Sequence, residues 1–598
     1  MTPPSPRFVA LTESGAALAR RLQPCFPGSL VHGLARRVAR SDTRFDDARA
    51  ELGALFAGGE AIVAIMAAGI VVRALGPLLA DKHAEPPVVV LAEDGSAVVP
   101  LLGGHRGANA LAARIAALLG IAPAITTAGE LVHGVALDDP PRGWRIATPT
   151  RLKATAAALV AGEPVELVVE AGDADWLAPV SRGSRDRAAK RIVVTDRSTA
   201  QGEALVYHPP VLVLGVGCER GATPEEVIAF ARKALAEAGL AEGSVAGVAS
   251  IDIKMDEAAV HALAGALDVP ARFFTAAELA REEARLATPS DYVKATVGVA
   301  GVAEAAALAA AGPDSRLVLA KRVGPRATVA VARAPHDTDP SRAGRARGRL
   351  DIVGIGPGPA DWRTPEVSHA LRAADAIVGY GLYLDLLGPL IADKPQHARA
   401  LGEEEARVKL ALDLAARGQR VALVSSGDAG IYALATLAHE LVERGDDPAW
   451  RRLEIRGMPG VSAMQAAAAR AGAPLGHDFC AISLSDLLTP IETIEARVRA
   501  AIAGDFVVAF YNPASQRRRE PFHHALALLR AGRPPATPVI VARNLGRDGE
   551  RVEVVELQAL DPDRVDMLTL LIVGSSATRI GPSGVFTPRG YAGKKHES

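Results

Sequence analysis

Aromatic side chains are scarce in this sequence, at 4% of 598 residues. The apolar content is instead mostly Ala, Val and Leu, the palette of parallel sheets flanked by helices. Cysteine is scarcer still. Cys25, Cys218 and Cys480 lie far apart with no CxxC pair, which argues against a disulfide framework and against a zinc site. Charge excess is missing too: the formal net charge is −1, so no basic surface for nucleic acid is expected. The N-terminus has no charged region followed by an apolar one, and no secretory signal is expected. The longest apolar run, 61–80, is interrupted by Arg73 and Pro77. An Arg at mid-bilayer costs ~3 kcal/mol, so this run reads as a buried strand, a turn and a helix. A cytoplasmic chain with no membrane span is expected.

What the chain has is length and glycine-punctuated strands. At 598 residues it exceeds a single core, and three to four domains are expected. The fold class is α/β, multi-domain. Residues 1–135 alternate strand and helix patterns, with Ala61–Met66 and Val88–Leu91 as buried strands. Residues 136–205 form a small middle segment. Val211–Gly217 opens a further α/β block running to 333, whose first helix starts at Thr223-Pro224 with Thr as cap and Pro at the first position. Residues 334–349 are polar and rich in Gly, Pro and Arg, the composition of an exposed linker. Residues 350–598 make the last block.

That last block carries the chemistry. Leu350–Gly358 is a strand running into a Gly-Pro turn, but Pro357 and Pro359 break any dinucleotide fingerprint. Val421–Val424 delivers Ser425-Ser426-Gly427-Asp428-Ala429-Gly430-Ile431-Tyr432 at its carboxyl end. Glu454-Ile455 leads to Gly457-Met458-Pro459-Gly460-Val461-Ser462-Ala463 and a helix of small residues. Phe506–Tyr511 ends in Asn512-Pro513, and Met567–Gly574 ends in Ser575-Ser576. Ligands in open α/β sheets bind outside the carboxyl ends of strands, so these small or polar tips point to one shared cleft. Asp486, His477 and Asp478 are the candidate acid/base groups. An Asp after a strand is also a common helix cap, and His477-Asp478 could equally satisfy a turn. The run Arg517-Arg518-Arg519 reads either as a binding site for substrate carboxylates or as a solvated helix face.

These residues, with Val378-Gly379-Tyr380, Gly472–Phe479, Ser483-Leu484-Ser485-Asp486-Leu487 and Thr587-Pro588-Arg589-Gly590-Tyr591, resemble the tetrapyrrole (corrin/porphyrin) methylase family. Within it they resemble the branch that methylates carbon 17 of precorrin-3B in cobalamin biosynthesis and contracts the ring to precorrin-4. The resemblance implies a two-lobed methylase fold holding S-adenosylmethionine between the lobes. It implies donor contacts from Gly356, Pro357, Gly358, Gly427, Asp428, Ala429, Ile431, Tyr432, Ser462, Ala463, Asn512, Thr569 and Leu571, with no metal. A homodimer is implied as well.

In the first half, Leu101–Asn109 follows a strand and opens an Ala-rich helix, where His105 and Asn109 suit an anionic or carbonyl group. With Ile65–Arg73 and Pro123–Ala128 this block resembles the cobalamin protein family CbiG. Gly215–Gly221, Ala249–Glu257 and Gly298–Glu304 resemble its C-terminal domain, which also occurs alone. The family implies hydrolysis of the cobalt-precorrin-5A lactone. The other readings are a non-catalytic module handing tetrapyrrole to other cobalamin-pathway enzymes, and a methylase using cobalt-bound substrate, cobalt-factor III. Cys218 reads as a small buried residue rather than a nucleophile.

Overall fold

Short branched runs become the interior strands of six sheets in the computed structural model, which describes residues 5–79, 85–125, 135–181, 190–198, 202–515 and 518–591. They fall into two units, Met1–Ala346 and Arg347–Ser598.

In the first unit, Ile62–Ile65 and Val88–Leu91 pair in parallel inside a six-stranded sheet that Arg7–Ala10 also joins. All of Ile62–Ile65 is buried, and the helix Ala68–Leu75 follows it, so the apolar run does form strand, turn and helix. Among the described residues no single helix is long and apolar enough to cross a membrane. A four-stranded sheet covers the middle segment, where Trp144, Trp176 and Tyr207 pack edge to face. The third sheet has Leu212–Cys218 at its centre, beside parallel Val245–Ile251 and antiparallel Ala327–Arg333.

Residues 334–346, expected to lie exposed, are fastened to the first unit. Ala334 N–H donates to Val211, Phe273 and Arg345 exchange backbone bonds, and Trp144 Nε1 donates to Asp337 Oδ2 at 2.5 Å. A segment poor in apolar side chains can still be held through its backbone and carboxylates.

The second unit has two lobes. Its first sheet is wholly parallel, in the order Gln396–Arg399, Ala376–Tyr380, Arg420–Ser425, Arg349–Gly354, Glu454–Met458. The chain leaves Arg349–Gly354 toward one edge and Arg420–Ser425 toward the other, so these adjacent strands form a switch point where a crevice opens. The second sheet runs Phe479–Ser483, Val507–Tyr511, Thr569–Val573, Pro538–Arg543, Arg551–Glu556. Thr569–Val573 is antiparallel to both of its neighbours. The helix Ala463–Ala471 links the lobes and packs on Ile540, Leu570 and Ile572.

Candidate functional site

At the switch point two glycine loops pair with each other. Gly356 and Gly427 exchange backbone hydrogen bonds of 3.1 and 2.8 Å, each at positive φ (76° and 65°) where an L side chain would be strained. The third loop comes closer still: a Cβ on Gly460 would collide with the carbonyl oxygens of Gly354 and Gly427. Asp428 ties the last two loops together, its Oδ1 accepting from Gly430 N–H at 2.8 Å and its Oδ2 from Gly460 N–H at 3.1 Å. The chain can approach itself this closely only where side chains are absent.

The amino end of the helix Ala463–Ala471 faces these loops. Ser462 is buried and forms a capping box with Gln465, its hydroxyl accepting from Gln465 N–H at 3.2 Å. Ala463 N–H is the first helical amide and has no acceptor within the helix. It lies 3.8 Å from where a Cβ on Gly427 would be, so this helix start stands directly against the Gly427 loop. Tyr432, at φ 51°, packs its ring tilted against Tyr511, centroids 5.3 Å apart, and donates to the Ala481 carbonyl. Burial raises both tyrosine hydroxyls above their ordinary pKa, and the Tyr511 hydroxyl accepts from Met464 N–H at 3.2 Å.

The structure thus brings together Gly356, Pro357, Gly427, Asp428, Ala429, Ser462, Ala463 and Tyr432. Thr569 and Leu571 come from the second sheet, Thr569 at the end that also carries Asn512. The Thr569 hydroxyl is bound to Asp566 at 2.8 Å, and Leu571 is buried between Phe510 and Val541 in the second sheet. Ser575 and Ser576 are misplaced by the expectation of four strand ends on one cleft. Because Thr569–Val573 runs antiparallel, its carboxyl end lies beside Val508, at the far end of the sheet from Asn512, and Ser576 instead caps Asp505, with N–H and Oγ bonds of 2.9 and 2.5 Å.

The three acid/base candidates are separated by the same topology. His477 and Asp478 precede the five-residue strand Phe479–Ser483 and Asp486 follows it, which puts them roughly 17 Å apart along the strand. His477 and Asp478 are exposed, and the imidazole Nδ1 accepts from Asp478 N–H at 2.8 Å. They cannot serve one reacting atom together with Asp486. Asp486 sits at the end shared with Asn512, 3.5 Å from Arg518 Nε. Arg518 also donates to the Leu484 and Asn512 carbonyls at 2.5 and 3.3 Å, so it binds two strand ends together. Asn512, at φ 50°, donates through Nδ2 to Ser483 Oγ. Beside them Leu487 and Leu488 are 81% and 98% exposed, an apolar lip facing solvent.

Comparison with known proteins accounts for this arrangement. Residues 349–561 match the model for Tetrapyrrole (Corrin/Porphyrin) Methylases. Over 252 residues the chain is 47% identical to a precorrin-3B C(17)-methyltransferase of a Sinorhizobium species, covering 41% of this chain and 98% of that protein. The chain belongs to the tetrapyrrole methylases. A cobalt-factor III methyltransferase of Priestia megaterium is 40% identical over 252 residues, 42% of this chain and 46% of that protein's length. The crystal structure of the methyltransferase CobJ is 44% identical, with a TM-score of 0.39, over 40% of this chain and all of that one. Ahead of the methylase unit, residues 51–130 match the Cobalamin synthesis G N-terminal model. The cobalamin biosynthesis central region follows at 140–209, and the Cobalamin synthesis G C-terminus at 212–332.

In the first unit, Asn109 is buried at the start of the helix Ala108–Leu119 and its Oδ1 lies 3.4 Å from a Cβ built on Gly104, turned back on its own loop. The His105 side chain, Thr126–Ala128 and Arg517 lie outside the described residues. Cys218 is half-buried, and burial pushes its thiol up, away from a nucleophilic thiolate. Next to it Glu257 accepts from Gly221 N–H at 2.9 Å, and Arg220 pairs with Asp256 at 2.7 Å. Arg519 is a structural tie to the Pro562 and Val565 carbonyls.

One contributor went unread in the sequence. The turn Asn544–Glu550 of the second lobe carries Arg547, which reaches both glycine loops of the first. Its signal was present: Asn544, Gly546 and Gly549 follow the strand Pro538–Arg543, the same strand-then-glycine pattern as the other loops.

Proposed function

We propose that the methylase unit transfers a methyl group from S-adenosylmethionine to carbon 17 of precorrin-3B with contraction of the macrocycle, and that the first unit hydrolyses the lactone of cobalt-precorrin-5A. The observation that carries the first part is the 47% identity to a precorrin-3B C(17)-methyltransferase across 98% of that protein's length. Three consecutive matches to cobalamin synthesis models support the second.

The glycine loops suit this donor. It has no phosphate to cradle, but it presents adenine, amino and carboxylate groups that want backbone partners. Gly356, Pro357, Gly358, Gly427, Asp428, Ala429 and Ile431 would offer main-chain groups on one side of the donor. The Ala463 amide, at a helix amino end, would receive its carboxylate. Tyr432 and Asn512 would border the methyl-bearing end, while Ser462, Thr569 and Leu571 fix the wall behind it. When bound, the sulfonium supplies an electrophilic methyl carbon and leaves as a neutral thioether. The protein's main contribution is orientation, which can supply ~7–11 kcal/mol. Ring contraction also needs a hydroxyl proton removed, and Asp486, held by Arg518, is the carboxylate placed at that end of the sheet.

Mixing full-length protein with S-adenosylmethionine and precorrin-3B, followed by mass spectrometry and absorbance, tests this. One added methyl with a contracted-ring spectrum is expected. Turnover of cobalt-factor III alone would move the substrate to the cobalt-bound series, and no turnover of either would overturn the carbon-17 assignment. Acetaldehyde release from cobalt-precorrin-5A tests the first unit; binding without release would make it a carrier.

A further inference from the structure

The turn Asn544–Glu550 belongs to the second lobe, yet it is fastened at three points to the chain around the first lobe's glycine loops. Arg547 Nε–H donates to the Pro357 carbonyl at 2.8 Å and Arg547 Nη2 to Ser426 Oγ at 3.0 Å, one contact on each loop. Gly546 packs so tightly under Gly358 that a Cβ on Gly358 would collide with its carbonyl oxygen. Glu550 accepts from Gly546 N–H at 2.7 Å and from Arg470 Nε at 2.8 Å, and the Arg470 guanidinium lies 4.6 Å over the Trp362 ring. Trp362 in turn stands against Gly356, its carbonyl oxygen 2.9 Å from where a Cβ there would sit.

We infer that Arg547 is a positioning residue for the methyl donor: it holds the Pro357 and Ser426 loops at the spacing that admits S-adenosylmethionine. This rests on the donor reading above. The reason is in the loops themselves. Both are short and rich in glycine, so each has many backbone conformations to lose when a ligand orders it. The residues that pair them, Gly356 and Gly427, give two backbone bonds, and the Ser426 hydroxyl adds one long bond to the Gly356 carbonyl at 3.4 Å. A planar guanidinium adds two charge-assisted bonds in a fixed fork and moves that ordering into the free protein. Ligand binding is then relieved of the cost. Arg547 touches no reacting atom in this scheme, so its removal acts on donor affinity first.

The test is S-adenosylhomocysteine binding by calorimetry on the full chain, alongside thermal melting. Arg547→Ala is expected to weaken binding about tenfold or more, worth about 1.4 kcal/mol. In turnover it raises KM for S-adenosylmethionine more than it lowers kcat. Arg547→Lys, with a single point donor, should recover part of the loss. Ser426→Ala removes its bonds to Arg547 and to the Gly356 carbonyl but leaves Arg547 on Pro357; it should weaken binding less than Arg547→Ala and serves where the larger change fails to fold. A dissociation constant for Arg547→Ala within twofold of wild type would overturn the inference while leaving the donor reading intact. Wild-type protein that binds no S-adenosylhomocysteine would overturn both.

Discussion

At the scale of single residues, the site is built from atoms that carry little chemistry of their own. Asp428 reads in the sequence as a donor contact, and its carboxylate is spent on two backbone amides at the glycine loops. Ser462 is likewise spent on a helix cap. Asp486 is different, because its one charged partner among the described residues, Arg518, leaves its side chain still 36% exposed. Asp486→Asn is therefore expected to lower kcat by about 10²-fold or more, the span of a lost general acid/base, with donor binding unchanged. His477→Ala, at the far end of the strand, should stay within about threefold of wild type. Steady-state kinetics on the two variants separates them, and equal losses would remove Asp486 from its role.

Glu304 shows the same economy in the first unit. It is 1% exposed and accepts from Ala287 and Thr288 amides, the Thr288 hydroxyl and Lys321 N–H. Burial alone would raise its carboxyl, but the hydrogen bonds outweigh burial and hold it below the usual glutamate range. The folded state then binds this proton less readily than the unfolded chain. Its stabilisation is present above the usual glutamate range and is lost as pH falls through that range and below. Acid unfolding followed by circular dichroism should show this slope, and Glu304→Gln should flatten it while costing about 2 kcal/mol at neutral pH.

At the scale of elements, strand direction decides which tips share a cleft. The first-lobe loops were legible because a parallel sheet places every carboxyl end on one side, and glycine after a buried strand marks each of them. The second sheet is mixed, and nothing in Thr569–Val573 tells from its own residues that it runs against its neighbours. For that reason Ser575 and Ser576 were read into the site although they sit at the other end. Ser576→Ala should lower the melting temperature slightly, through loss of its bonds to Asp505, and leave KM for both substrates unchanged. A raised KM for S-adenosylmethionine would contradict the antiparallel placement.

At the scale of the whole molecule, the two units each close their own cores, and the methylase unit corresponds in extent to a relative that stands nearly alone, with 98% of that protein covered. A fragment of residues 347–598 is expected to fold and to bind S-adenosylhomocysteine within about threefold of the full chain. Calorimetry of the full chain should show two unfolding transitions, since separate cores need not melt as one. Loss of binding in the fragment would mean that the first unit completes the donor site.

By itself the sequence determined the local parts: buried strands, glycine turns, the helix of small residues after Ser462-Ala463, and the membership of both halves in cobalamin-related families. These depend on residue type and spacing over a few positions, where φ/ψ preference and hydrophobic period act directly. Only the tertiary structure decided which polar groups were already satisfied. Asp428, Thr569 and Asn109 all read as ligands, and two of them are tied to partners elsewhere in the chain. Arg547 became visible for the same reason: the glycine-punctuated turn that carries it is legible, but the partners it reaches across 190 positions are fixed by packing.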